Sequence, residues 1–201
     1  MEIVFSGFAH VESVSLMNVT DAPTNPIYSI NEINPSKDTT QYTEINERFE
    51  SSGIRFKKIE KIEIIENETL YLEFCKSKST CEQYHGNHDV TTMLFHGTRQ
   101  ENVEGICKNG FLVKLAGTLN DSELARNYTG SATVRKMFFA EVVTGNYPIG
   151  KKEMTHTPLD TEGHPYDSAV DSLTNPRIFV VFRDSCAYPK YLITYTTDDA
   201  V

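Results

Sequence analysis

The stretch Leu94-Phe95-His96-Gly97-Thr98-Arg99-Gln100-Glu101 ends an apolar run on a histidine and a glycine, then enters a helical pattern. Turns between a strand and a helix are common places for ligand-binding groups, because two rigid elements hold them. His96 can donate and accept hydrogen bonds near neutral pH, and Gly97 lets a ligand approach bare backbone. Thr98 and Glu101 have the T-x-x-E spacing of a capping box, which predicts a helix starting just behind the pair. A histidine followed by glycine is also an ordinary loop dipeptide, so its meaning depends on what the rest of the chain supplies.

A second group has metal-ligand chemistry. Cys75, Cys81, His85 and His88 fall in one polar segment, but their spacing matches neither a two-cysteine, two-histidine finger nor a zinc knuckle. The sequence therefore assigns no metal site. The four cysteines, Cys75, Cys81, Cys107 and Cys186, form no CxxC pair, which suits reduced thiols and an intracellular protein of nucleus or cytoplasm.

The elements that must hold these residues can be read from periodicity. Asp38 with Gln41 suggests a cap, and Tyr42, Ile45 and Phe49 share one helical face, predicting a helix over Thr39 to Glu50. Gly53 breaks it, and a strand should begin at Ile54 and run into the isoleucine-rich Ile59 to Ile65. Asn67 should cap a helix through Leu70, Tyr71 and Phe74, ending in a polar loop that carries the cysteine and histidine group. A strand over Thr92 to His96 and a helix over Gln100 to Lys108 follow, stopped by Asn109-Gly110. Lys136 to Gly145 reads as a buried strand, and Ile178 to Phe182 and Tyr191 to Thr196 as two more, paired as a hairpin or as neighbours in one sheet. Two β-like runs, Glu2 to Phe8 and Val11 to Val19, precede a turn-rich break. The class is α+β, helices early and a largely antiparallel sheet system late.

At 201 residues the chain can bury a substantial core. Its net charge of -9 argues against direct binding to nucleic acid or anionic membrane. No apolar run reaches the length of a membrane span, and the N-terminus lacks signal-peptide order.

Several stretches, in order, resemble the catalytic domain of the poly(ADP-ribose) polymerase (PARP)-like ADP-ribosyltransferases. They are Leu94-Phe95-His96-Gly97-Thr98, then Asn102, Ile106 and Gly110-Phe111, then Phe139 to Tyr147 with Gly150, then Tyr166 to Asp171, Pro176 to Phe182 with Asp184, and Tyr188 to Tyr195. The resemblance implies two mostly antiparallel sheets forming an NAD cleft, with flanking helices. It places the catalytic domain at residues 35–201 and leaves 1–34 as an N-terminal extension or a fragment of a preceding module. It implies NAD as co-substrate and protein side chains as acceptors. His96 is similar to the histidine that bonds the adenosine-side ribose, Gly97 to the glycine whose backbone N–H and C=O clamp the nicotinamide amide, and Thr98 to the hydroxyl residue beside the adenine ribose.

Two departures from the family pattern shape the expected activity. The third motif position, a glutamate in chain-elongating members, falls on Ile178. Isoleucine has no polar atom to bond the ribose 2′-hydroxyl or activate an acceptor, so the resemblance implies mono-ADP-ribosylation rather than polymer synthesis. The second departure is a missing segment: between Gly117 and Thr118 the family carries a donor loop and a strand with the second motif tyrosine. Ser122 and Tyr128 match the serine that bonds the nicotinamide amide and the tyrosine that stacks on its ring, while an exposed loop tyrosine is the other reading of Tyr128. Removing a strand leaves backbone groups in its neighbours without partners. Either Thr118 to Tyr128 repairs the sheet, or the cleft is partly open, or a short piece of sequence is missing. The alternative to an enzyme is a catalytically inactive PARP-like domain serving as an interaction module.

Overall fold

Alternation and one bulge arrange the isoleucines of the first long strand. The computed structural model describes residues 2–5 by their backbone, and residues 28–86, 88–112, 133–151 and 154–197 with side chains. In Lys58–Glu66 the register shifts between Ile59 and Lys61. That irregularity lets Ile59 and Ile62 share a face, where strict alternation would have separated them. Both enter one apolar cluster with Ile45, Phe49, Phe95 and Phe139, while Ile65 packs on the opposite side with Phe74, Leu94 and Phe138.

In chain order the elements are β1 (Glu2–Phe5), β2 (Ser29–Glu32), α1 (Thr39–Glu50), β3 (Lys58–Glu66), α2 (Glu68–Tyr84), β4 (Thr91–Gly97), α3 (Val103–Asn109), β5 (Val134–Val143), β6 (Ser168–Val170), β7 (Ile178–Val181) and β8 (Ala187–Thr196). The strand order is β2-β3-β8-β5-β4-β1-β7-β6. The chain is thus α+β, with a mostly antiparallel sheet and few helices. From β2 to β4 every pairing is antiparallel, as is β6 with β7. The two antiparallel groups are joined by β1, which runs parallel to both β4 and β7.

Helix α1 covers one face through Ile45 and Phe49. The Phe49 ring meets Phe95 edge-on at 5.6 Å, and Phe95 stacks on Phe139 at 4.5 Å. Helices α2 and α3 cover the other face. Asn67 ties them together: its side-chain oxygen accepts from Leu70 N at 3.1 Å, capping α2, while its Nδ2 donates to the carbonyls of Cys107 at 3.0 Å and Lys108 at 3.2 Å. One buried amide therefore closes the start of α2 and the end of α3, the helix directly behind the His96 turn.

Several local expectations give way to longer-range contacts. Asp38 makes no side-chain cap bond, and Gln41 instead donates to the Tyr191 hydroxyl at 3.0 Å. The strand does not begin at Ile54; pairing starts where Lys57 N meets Thr196 O. Cys75 and Cys81 lie inside α2 rather than in a loop, with His85 at its C-terminal cap. The capping box of Thr98 and Glu101 does not form at a helix start: Gln100–Asn102 make a 3-10 turn, and α3 begins at Val103 without a side-chain cap. Strands β7 and β8 are not neighbours, because β1, β4 and β5 lie between them.

Candidate functional site

Strand β4 carries the His96-Gly97 pair at its end, with Leu94 and Phe95 buried on opposite faces as anchors. His96 is opposite Phe138 and Gly97 opposite Met137 in β5. The His96 ring meets Phe111 edge-on at 5.0 Å, and Phe111 meets Phe138 in the same way at 5.6 Å. Phe111 follows Gly110, whose φ of +75° turns the chain out of α3. Such a conformation suits glycine. The helix stop thus delivers the aromatic ring that fixes one side of His96. Thr98 is buried, while His96 keeps partial exposure.

The other wall comes from β1 and β7. Glu2 is in register with both Phe95 and Ile178. Strand β1 pairs with β7 over all four of its residues, but with β4 only at Phe95. Among the described residues, the parallel ladder on β4 therefore stops one residue before His96. At its end β4 stays paired to β5, with the buried Gly97 opposite Met137.

Ile178 is buried, 6% exposed, at the head of β7. Asp171 Oδ1 holds that head by accepting from Arg177 N at 2.9 Å and Ile178 N at 3.0 Å. Since Phe95 and Ile178 are opposite the same residue, alternation puts their side chains on one face and that of His96 on the other. Phe179, next in β7, shares the cluster of Leu94, Phe111 and Phe138. The structure thus brings His96, Gly97 and Thr98 together and places Ile178 one strand away, turned to the opposite side.

Ser122 and Tyr128 lie outside the described residues, as does the segment Thr118 to Tyr128. The position between β4 and β7 is filled by Glu2–Phe5 instead. Sequence reading gave that run β character but no place; a parallel partner leaves no local signature in the chain.

An open groove of about 530 Å³ lies elsewhere, on the α1 face, lined in part by Arg48, Asp89, Phe95, Glu141 and Lys190. None of His96, Gly97, Thr98 or Ile178 lines it. Lys190 Nζ donates to Glu141 Oε2 at 2.9 Å there. Burial pushes the Lys190 pKa down, and the Glu141 hydrogen bond and charge more than offset it, so the net direction is upward.

Residues 38–164 match the family model for the poly(ADP-ribose) polymerase catalytic domain, which is more than half of the chain. The chain belongs to the PARP catalytic domain family. It is 29% identical over 199 residues to mouse "Protein mono-ADP-ribosyltransferase PARP12", covering 91% of this chain and 28% of that protein. It is 28% identical over 206 residues to mouse "Protein mono-ADP-ribosyltransferase PARP11", covering 85% of this chain and 62% of the relative. Against mouse "Protein mono-ADP-ribosyltransferase PARP10" the identity is 31% over 154 residues, 68% of this chain and 16% of the relative. The chain spans less than a third of the length of the PARP12 relative. Within this PARP domain, His96 and Gly97 end β4 and Thr98 follows directly.

Proposed function

We propose that the protein transfers a single ADP-ribose from NAD to protein side chains. The observation that carries this reading is membership of the PARP catalytic domain family, with His96 and Gly97 at the end of β4 and Thr98 directly behind them. A carboxamide needs one donor and one acceptor at fixed separation, and a glycine's backbone unit supplies both without a side chain in the way. In this reading His96 bonds the adenosine-side ribose, and the Thr98 hydroxyl lies beside the adenine ribose. Ser122 and Tyr128 serve the nicotinamide end.

Cleavage of the bond between nicotinamide and ribose passes through an oxocarbenium-like state that favours nearby negative charge. Ile178 supplies none, so an acidic acceptor side chain brings the carboxylate itself. That restricts the product to one ADP-ribose per acceptor. The names of the PARP12, PARP11 and PARP10 relatives agree with this restriction. We place the catalytic domain at residues 35–201, with β1 and β2 of the preceding stretch completing its sheet. The cysteines of the described residues are free thiols, which fits an intracellular setting in nucleus or cytoplasm. Among the described residues no helix is long and apolar enough to cross a membrane.

Incubation with labelled NAD tests the proposal. Wild-type chain should label itself or acidic peptides with one unit per site, and His96→Ala should abolish the label. Label that persists in folded His96→Ala overturns the assignment. The second reading, a non-catalytic interaction domain, is favoured by the sequence Glu-Ile-Val-Phe of β1, which brings no tyrosine to the position beside β4. Saturable NAD binding at micromolar concentration by calorimetry separates the two, since the interaction module predicts none.

A further inference from the structure

Away from the β4 turn, three chemically different side chains converge at the end of α2. Cys81 Sγ, a His85 ring nitrogen and an Asp167 carboxylate oxygen lie within 4.8 Å of one another. Among the described residues this is the one group of three or more such ligands. It differs from the set that sequence spacing singled out: Cys75 and His88 are not members, and Asp167 comes from the loop before β6.

We propose that Cys81, His85 and Asp167 bind one zinc ion. A thiolate, an imidazole and a carboxylate are the ligand types zinc takes, at about 2.0 to 2.3 Å. Around an ion of that size tetrahedral neighbours are roughly 3 to 4 Å apart, so the cluster needs only a modest contraction overall. His85 Nε2 and Asp167 Oδ2, 2.8 Å apart, separate slightly as the ion replaces the proton between them. Three protein ligands leave a fourth position for water, and the His85 and Asp167 side chains keep 24% and 12% exposure toward solvent.

The surroundings supply the outer contacts that metal ligands need. Asn146 N donates to Asp167 Oδ2 at 2.9 Å, and the Asn146 side chain lies 3.2 Å from His85 Nδ1. Both ligands are thus oriented by one neighbour, a recurring device at zinc sites. Gly145, at φ +42°, makes this possible: a Cβ there would lie 2.2 Å from Asp167 Oδ2. Cys81 is buried, 2% exposed, and a thiol is a weak hydrogen-bonding group, so a purely hydrogen-bonded triad is a poor use of it.

The proton balance is simple. Zinc takes the place of the Cys81 thiol proton, which leaves to solvent. His85 shifts its proton from Nε2 to Nδ1, and the Asn146 amide turns its oxygen to accept it. The ion then fastens the end of α2 to the Gly145-Asn146 turn and to the start of β6, independently of any reaction at His96.

Zinc chloride and cobalt chloride, each alone, test this on the full chain after chelator treatment. The expected result is one zinc per chain by elemental analysis, and a cobalt spectrum with a thiolate charge-transfer band. Cys81→Ala should abolish the band, and His85→Gln should weaken zinc binding beyond the roughly hundredfold upper limit for outer-shell changes. Asn146→Ala should weaken it about tenfold. Wild-type chain that binds no zinc overturns the proposal without recourse to any variant. So does binding that survives in folded Cys81→Ala, or that is lost in Cys75→Ser.

Discussion

Phe95 and Ile178 are held in register with each other through a single residue, Glu2, which is opposite both. One short strand therefore aligns the turn that carries His96 with the strand that begins at Ile178. Val4→Pro removes a backbone donor and imposes a fixed φ inside β1, at a cost of about 1 to 3 kcal/mol for the unmade hydrogen bond. For a chain of this size that corresponds to roughly 2 to 12 °C in Tm. Thermal unfolding by circular dichroism should show the drop, and NAD affinity by calorimetry should fall with it.

Ile178→Glu probes the opposite face. In the function proposed above, a glutamate here restores chain elongation only if its side chain faces His96. Alternation turns it toward the Phe95 side instead, into a buried position. The variant should make no polymer from labelled NAD and should lose about 3 to 5 kcal/mol of stability, the usual cost of a buried carboxylate without a partner.

Asn67 gives a test of the scaffold behind the turn. Asn67→Ala removes the α2 cap and leaves the carbonyls of Cys107 and Lys108 without this donor. The expected loss is about 2 to 3 kcal/mol, of which the cap contributes roughly 1. Asn67→Asp keeps the cap acceptor but turns a buried carboxylate oxygen toward those two carbonyls, so it should be no more stable than alanine. In urea titrations both variants should lower the midpoint with slopes unchanged.

Much of this scaffold is legible in the sequence, and the exceptions have a common cause. The bounds of α1 follow from the Tyr42, Ile45 and Phe49 stripe, the start of α2 from Asn67, and the end of α3 from Gly110, because each signal is contained within one or two turns of chain. Strand β2, Ser-Ile-Asn-Glu, is largely exposed and polar, and only its partner β3 makes it a strand. The predicted cap at Thr98 fails because Thr98 is buried and the chain stays extended through Arg99. Within the candidate site, the His96-Gly97-Thr98 grouping was readable as contiguous residues. The facing of Ile178 depends on a parallel register with β1 that no local pattern encodes.

Cys107 links α3 to pH. It is fully buried at the base of the helix, and burial pushes its thiol from an ordinary 9.0 to about 11. The folded chain therefore keeps this proton where the unfolded chain loses it. Its contribution is complete below pH 9.0 and is lost as pH rises toward 11, by up to about 1.4 kcal/mol for each pH unit. Chemical denaturation across that window should show stability falling with pH, less steeply in Cys107→Ala.

Strand β1 precedes both of its neighbours in the chain, and its slot exists only once β4 and β7 are formed. Nearly the whole chain separates Glu2 from Ile178, so this pairing closes a very long loop and pays its entropy before any ladder bond is gained. Insertion of β1 is accordingly expected to come late in folding, which pulsed hydrogen exchange of the β1 amides would check. Until it occurs, β4 and β7 present bare edges that any extended segment can pair with, including the first strand of a second copy. The strand that unites the two halves of the sheet is thus also a point at which the fold is open to exchange.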